Sequence, residues 1–450
     1  MSKISRALFA IIPALALAFT FAGCEKEDPA IHGKVIVTYW EKLSGAQAAA
    51  VFAVVNDFNK SQDRIHVDFS SVSQIDRKFM LATAGGVPPD LVGLWSHMVP
   101  VYAENNALMP LDKLAAENGV KRENYIDVIW QLCCYRDHLW ALPSSPSSIA
   151  LIWNKKLFRE AGLDPNQPPR SIKELEEFNK KLEKRRPDGR LETIGFLPLE
   201  PDWYSTMYGF WFGGNLWDGK NSIAANSPEN IAAYQWVESY PQRYGKDNLL
   251  AFRDGFGNFD SPENPFISGR VAMELQGAWI YTYIQEYAPP GFEWGVAAFP
   301  SNDPEHLKDV AIVESDVIAI PAGAKHPKEA FEFLRYLNTQ KPMEKLCMGK
   351  LQFSPLKDCS PEFLRDHPNP YIKVFLDLAK SPNARIAPRL PTWTEYNADM
   401  RDAVSKIWDG KVSAVDALNE VEFREQKVFD RRQERWNRLS GKLEAEWNNQ

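Results

Sequence analysis

Several short runs in this chain combine side chains suited to a polyhydroxylated ligand: Trp40-Glu41, Ser70-Ser71 and Trp95-Ser96-His97, then Glu200-Pro201-Asp202-Trp203-Tyr204, Gln276-Gly277-Ala278-Trp279 and Trp393-Thr394-Glu395-Tyr396. Indole faces stack on the apolar faces of sugar rings, carboxylates accept hydroxyl protons, and serine or imidazole can donate or accept. Any single tryptophan in such a set is as readily a half-buried core residue. For Trp393 a cleft wall and a core position fit equally well. Agreement among several positions is what argues for a site.

The elements around these runs supply that agreement. Residues 35–39 are apolar enough for a buried strand, and Ala48, Val51, Phe52, Val55 and Phe58 share one helical face. Ile65, Val67 and Phe69 alternate as a second strand, completing a βαβ unit. Ser73 is placed to cap the next helix, and Gly85-Gly86 and Pro88-Pro89 break the chain before a strand at 91–94. Further strands are expected at 149–153, 194–197, 271–275 and 294–298. Ser171-Ile172-Lys173-Glu174 reads as a capping box, and Ser227-Pro228 as an N-cap followed by proline at the first helical position. In open α/β sheets ligands sit beyond the carboxyl ends of the strands, and most of the tryptophan-bearing runs fall there.

With 450 residues, 44% of them hydrophobic, the chain exceeds what one core accommodates, so two α/β lobes are expected. The stretch 139–149 reads as the crossing between them. Pro143 and Pro146 withhold backbone donors and keep it out of the middle of a sheet, and a buried strand follows. Residues 310–316 read as the return. The formal net charge of −7 argues against nucleic acid as a partner.

Lys3 and Arg6 precede an apolar run from Ala7 to Phe21 that is too short to span a membrane. Small residues Ala22 and Gly23 then precede Cys24, in a pattern that resembles a bacterial lipoprotein signal over residues 1–24, with Cys24 lipidated. A plain secretory peptide is the alternative. Cys133, Cys134, Cys347 and Cys359 show no CxxC spacing, and the 7 histidines are scattered, so neither a metal site nor a cofactor is expected. A Cys347–Cys359 disulfide and buried free thiols both remain open.

Several motifs occur in an order that resembles the extracellular solute-binding proteins of sugar ABC importers. They are the Leu142-Pro143 crossing that leads to Trp153-Asn154-Lys155, the run from Ala84-Gly85-Gly86 to Leu91-Val92, Phe266-Ile267-Ser268-Gly269-Arg270-Val271-Ala272-Met273 leading to Gly277-Ala278-Trp279, and Ile318-Ala319-Ile320-Pro321 followed by a helix. The resemblance implies a two-lobed periplasmic-binding-protein-like fold of type II. Residues 33–143 and 316–355 would form the first lobe, and 147–311 and 361–450 the second. It implies a lipid-anchored monomer in the periplasm or outside the cytoplasm, taking a sugar or oligosaccharide by hinge closure and delivering it to ABC permease subunits. Trp279 matches the family's stacking tryptophan, Glu200 and Trp203 lie in its ligand loop, and Ser147 stands where the family can carry an acid in the crossing. With Trp40, Glu41, Trp95 and Trp393 these make the expected substrate-binding set, with no catalytic residue. A secreted glycoside hydrolase is the rival from another class, since it needs two carboxylates roughly 5–9.5 Å apart in a similar cleft. A same-fold binder of a polyamine or of glycerol phosphate is a further alternative, and the scarcity of Arg and Lys at the strand ends disfavours phosphate.

Overall fold

The computed structural model describes residues 31–449, so the N-terminal signal and Cys24 lie outside the described residues. In chain order the strands are β1 (Val35–Glu41), β2 (Ile65–Ser71), β3 (Leu91–Trp95), β4 (Cys134–Tyr135), β5 (His138–Leu139), β6 (Ala141–Ser148), β7 (Ala150–Asn154), β8 (Lys184–Arg185), β9 (Leu191–Phe196), β10 (Val271–Gln276), β11 (Trp294–Ala297), β12 (Ala311–Ala319) and β13 (Ala384–Arg385). One sheet has β2 and β3 parallel on either side of β1, then β12 antiparallel to β3, with β6 on β12. The other sheet runs β11-β7-β10-β9-β8, with β7 antiparallel to both neighbours.

The two sheets are joined through β6 and β12. These strands pair antiparallel from Ala141 opposite Ala319 to Ser148 opposite Val313, so the outgoing and returning chains form one ribbon. Pro143 and Pro146 sit opposite Val317 and Ser315, and β6 pairs with β12 alone. The crossing, expected to stay out of the middle of a sheet, is a strand at its edge, where a missing donor costs no ladder bond.

Each sheet carries its own core. Val37, Tyr39, Leu91 and Leu94 pack with Val55 and Phe58 of helix Gly45–Ser61 and with Phe331 and Leu334 of helix Pro327–Leu337. Leu151, Ile194, Phe196 and Met273 pack with Tyr234 and Tyr240 of helix Pro228–Tyr244 and with Met400 and Ile407 of helix Trp393–Trp408. On the opposite face of the second sheet, Ala150 and Ile152 meet Ile126, Ile129 and Leu132 around helix Asp127–Cys133. That segment, expected inside the first lobe, thus contributes to the other lobe's packing.

Three local expectations are modified, and for the cysteines one of the two open alternatives is met. Phe52 is 55% exposed, and Val54 takes its place on the buried face of its helix. Ser73 caps nothing, because the helix begins at Ile75 after Gln74 in the left-handed region. At Ser171 half the capping box forms: its Oγ accepts from Glu174 N at 3.1 Å, while the Glu174 carboxylate takes the Arg170 amide instead. The cysteines at 133, 134, 347 and 359 are free thiols.

The last helix, Ala414–Asn449, serves both lobes. Its first half puts Leu418, Val421 and Phe429 into the second-lobe core, whereas Trp436 and Trp447 belong to the first-lobe core. Trp447 meets Trp140 edge to face at 4.8 Å, and the Arg136 guanidinium lies 3.7 Å from the centre of the Trp436 ring. The expectation that residues 361–450 belong wholly to the second lobe fails at this tail, where a sparse tryptophan stripe finds an apolar seat across the gap.

Candidate functional site: the interlobe cleft

Between the lobes lies a cleft of about 550 Å³, lined from both sides and floored by β12. Its second-lobe wall is aromatic. Trp203, Phe259, Trp279 and Tyr283 form a chain of rings: Trp203 meets Phe259 at 4.7 Å and Trp279 at 6.2 Å between centroids, and Phe259 meets Tyr283 at 4.8 Å. Trp203 follows the Glu200-Pro201 bond in a 3-10 segment, Asp202–Phe212, and remains 41% exposed. Trp279 stands just past β10, at the start of helix Ile280–Tyr287, and Tyr283 lies one turn further on.

The orientation of Trp279 is over-determined. Its Nε1 donates to Gln276 Oε1 at 3.2 Å, and Gln276 Nε2 in turn donates to Glu274 Oε2 at 3.1 Å. Gln276 and Glu274 are both buried on β10. Burial, with Glu200 nearby, holds the Glu274 carboxyl well above the usual carboxylate range. The indole also lies over Gly277: a Cβ there would fall 2.2 Å from the ring.

The first lobe offers Trp95, 42% exposed, lying nearly parallel to His97 with 6.4 Å between ring centres. Burial, helped by Arg389, lowers the His97 pKa to about 4, so the imidazole is neutral and available as donor and acceptor. Lys42 Nζ stands 5.2 Å from the centre of the Trp95 ring.

The floor holds the charges. Glu314 and Asp316 alternate with the buried Ser315 on β12 and face the cleft together. Asp316 is held by Lys42 at 2.8 Å and by Lys350 at 2.7 Å, with Ser145 Oγ donating at 3.3 Å. Burial pushes the Asp316 pKa up, but Lys350 and Lys42 outweigh it and keep the carboxylate ionised well below the usual range. Among the described residues Glu314 makes no ion pair, and Lys42 acts on it only weakly from beside Asp316. Tyr204 OH donates to its Oε1 at 3.1 Å, and burial, with Asp316 close by, raises its pKa to about 7.

Of the expected site residues, Trp95, Ser147, Trp203, Trp279 and Trp393 line the cleft. Ser147 presents an Oγ that accepts from Ala278 N at 3.4 Å, and Trp393 is mostly buried, meeting Tyr396 edge to face. Three residues lie elsewhere. Trp40 packs on the first-lobe core. Glu41 is turned inward under Gly93, where it accepts from Tyr39 OH at 2.6 Å and from Lys42 N at 2.8 Å. Glu200 lies outside the lining and faces Arg253 at 3.5 Å; burial raises its pKa to about 7 despite that arginine.

Phe259, Tyr283, Glu314, Asp316, Arg389 and Arg401 line the cleft and were absent from the expected set. Tyr283 was within reach of sequence reasoning, being four residues past Trp279 on a helix and so on the same face. Glu314 and Asp316 carried a signal as well, two acids at strand spacing in the return crossing. Phe259 and Arg389 come from irregular segments and carried none.

The model of the bacterial extracellular solute-binding protein family matches residues 42–344. The chain belongs to that family. Its members are binding proteins outside the cytoplasm, and that location holds for this chain. An ABC transporter extracellular-binding protein of Pyrococcus horikoshii is 23% identical over 397 residues, covering 84% of this chain and 83% of the relative. The sn-glycerol-3-phosphate-binding periplasmic protein of Yersinia enterocolitica is 22% identical over 420 residues, covering 85% and 90%. Among solved structures, CpMnBP1 with mannotriose bound superposes with a TM-score of 0.75 at 26% identity, covering 86% of this chain and 99% of that one. The sugar-binding protein MalE of Xanthomonas citri gives 0.74 at 20% identity, covering 90% and 99%. The two-lobed fold expected from the motif order is the fold of these proteins.

Proposed function

We propose that this protein is the substrate-binding lipoprotein of a carbohydrate ABC importer, which takes a sugar or oligosaccharide into the interlobe cleft by hinge closure. The observation that carries this reading is the pairing of an aromatic wall with a hydrogen-bonding floor in one cleft. Sugar rings present apolar faces to the four rings of the second lobe and hydroxyl edges to Glu314, Ser147 and His97. Trp95 closes from the opposite lobe. In this reading residues 33–143 and 316–355 move as the first lobe against 147–311 and 361–450, apart from the end of the last helix, where Trp436 and Trp447 are seated on the first lobe, with 139–149 and 310–316 as hinge crossings. β6 and β12 flex together because they form one ribbon. The floor also speaks against bond cleavage, since Asp316, the ionised acid, is spent on two lysines.

Arg389 and Arg401 line the cleft, which favours a phosphorylated polyol as a second reading, in line with the glycerol-phosphate-binding relatives. Part of that charge is already engaged: the two terminal nitrogens of Arg389 hold the Ser96 and Cys134 carbonyls at 2.7 Å, and Arg401 holds Asp202 at 3.2 Å. Titration calorimetry against mannotriose, maltotriose and sn-glycerol 3-phosphate decides between the two. Saturable binding of an oligosaccharide supports the proposal, and binding of glycerol phosphate alone replaces it.

Anchoring through Cys24 is part of the same proposal and rests on the sequence. Cys24→Ser is expected to move the protein from the membrane fraction to the soluble one, and a variant that still sediments with membranes refutes the anchor.

A further inference from the structure

Behind the cleft, and sharing Arg389 with it, is a second cavity of about 530 Å³. Three parts of the molecule enclose it: residues 131–137 of the first-lobe segment, the turn 217–221 with the strip 386–392 of the second lobe, and the C-terminal helix at 429–433. Among the described residues, three cations on its lining, Lys220, Arg389 and Arg432, have no carboxylate partner, against a single unpaired acid, Asp137. A fourth cation, Arg136, is satisfied by Glu104 at 3.6 Å. In a chain whose formal net charge is −7, this is a local reversal of sign.

Two buried donors on the same lining are also left over. Arg389 Nε and Trp217 Nε1 are both shut off from solvent and have no hydrogen-bond partner. A buried guanidinium is ordinarily matched by a carboxylate, because desolvating an unpaired charge is costly. Arg389 has only carbonyl oxygens, so its full positive charge is left without a counter-charge. The walls are held in place independently of any ligand: Gln426 of the C-terminal helix binds Ile223 N and Asn221 O at 2.8 and 2.9 Å, fixing the turn that carries Lys220. Arg136 and Asp137, both at positive φ, form the tight turn between β4 and β5.

We propose that this cavity is a second binding site, for a compact oxyanion bearing two or more negative charges, which ties the first lobe, the second lobe and the C-terminal helix together. Phosphate and dicarboxylate groups share the required chemistry: several acceptor oxygens in a small volume, matched to cations that the second-lobe turn, the second-lobe strip and the C-terminal helix place on one lining. The site is independent of the sugar reading, since Lys220 and Arg432 do not line the cleft.

The test is calorimetry and thermal melting of the full chain with inorganic phosphate and, separately, with malonate, both against chloride at matched ionic strength. The wild type is expected to bind at least one of them saturably and to melt at a higher temperature in its presence. Which one binds identifies the group. The double variant Lys220→Gln/Arg432→Gln is expected to bind at least tenfold more weakly, with an unchanged melting temperature in chloride, whereas Trp279→Ala binds the anion as the wild type does. A wild type indifferent to both anions overturns the proposal, and so does a double variant that binds as tightly as the parent. If instead Trp279→Ala abolishes the anion response, the anion sits in the cleft and the second site is refuted.

Discussion

On the second-lobe side of the cleft, four rings touch one another in a chain, and Trp279 Nε1 bonds to Gln276 beside them. On the hinge side, Asp316 is locked between Lys42 and Lys350 while Glu314, two residues away on the same strand, meets only a tyrosine hydroxyl. The wall can lose a ring and stay folded, because Trp203 is largely exposed and Trp279 half-buried. The floor cannot lose a charge so cheaply. Its ion pairs join the end of β1, strand β12 and helix Gln340–Lys350, and Ser145 hydrogen-bonds β6 to them. The comparison separates affinity from stability, with ligand-facing energy on one side and architecture-holding energy on the other.

The sharpest way to break this division is Lys350→Met. Lys350 is buried, and its loss leaves the Asp316 carboxylate with one cation in place of two. Removing one partner of a buried pair is expected to cost about 3 kcal/mol of folding stability, read as a lower urea midpoint. A shift within error would mean that the network is solvated and the division wrong. Next in size is Trp279→Ala, expected to weaken sugar binding by ~2 kcal/mol, about thirtyfold, with a nearly unchanged melting temperature of the free protein. A large drop in melting temperature with normal affinity would move Trp279 to the structural side.

Glu314 sharpens the comparison through pH. Its pKa is raised to about 7 by burial, above the ordinary value near 4.5. Between those values the unfolded chain has released the proton and the folded protein retains it, so the stabilising contribution is full below about 4.5 and lost as pH rises toward 7. Stability is expected to fall across that window, and Glu314→Gln to make the fall shallower by on the order of 1 kcal/mol. Parallel curves for the two proteins would mean that Glu314 is already ionised and exposed. The smallest effect is expected for Phe259→Leu, which deletes two edge-to-face contacts from the wall and keeps most of its apolar area. About 0.5–1 kcal/mol of sugar affinity and no measurable stability should be lost, by calorimetry and melting respectively.

The aromatic wall was more legible in the sequence than the floor, for a geometric reason. Trp203 and Trp279 lie past strand ends, where a residue reaches the cleft whatever the register. Glu41 was misplaced because the strand ending at Tyr39 by its apolar pattern runs on to Glu41. With side chains alternating, Glu41 falls in line with the inward Val37 and Tyr39, and Lys42 and the Tyr39 hydroxyl satisfy it there. Glu314 and Asp316 were read as part of a crossing because acids in a strand carry no apolar period. What makes them part of the cleft is the pairing of β12 with β6 across 171 residues of sequence, as between Ser145 and Asp316, which no local pattern encodes. The two-lobed order itself was legible, since prolines and buried strands mark where each core ends.

The C-terminal helix has a mechanical consequence. Its 36 residues make a rod of about 54 Å, seated by Phe429 and its neighbours in one lobe and by Trp436 and Trp447 in the other. A stiff member fastened to both jaws of a clamp cannot stay fastened at both ends while the jaws swing freely. Either the tryptophan end slides over Trp140 and Arg136, or the swing is confined to the twist that leaves that seat intact. In the proposed closure the travel of the jaws would thus be set far from the crossing strands, by the grip of two indole rings at the far end of a lever.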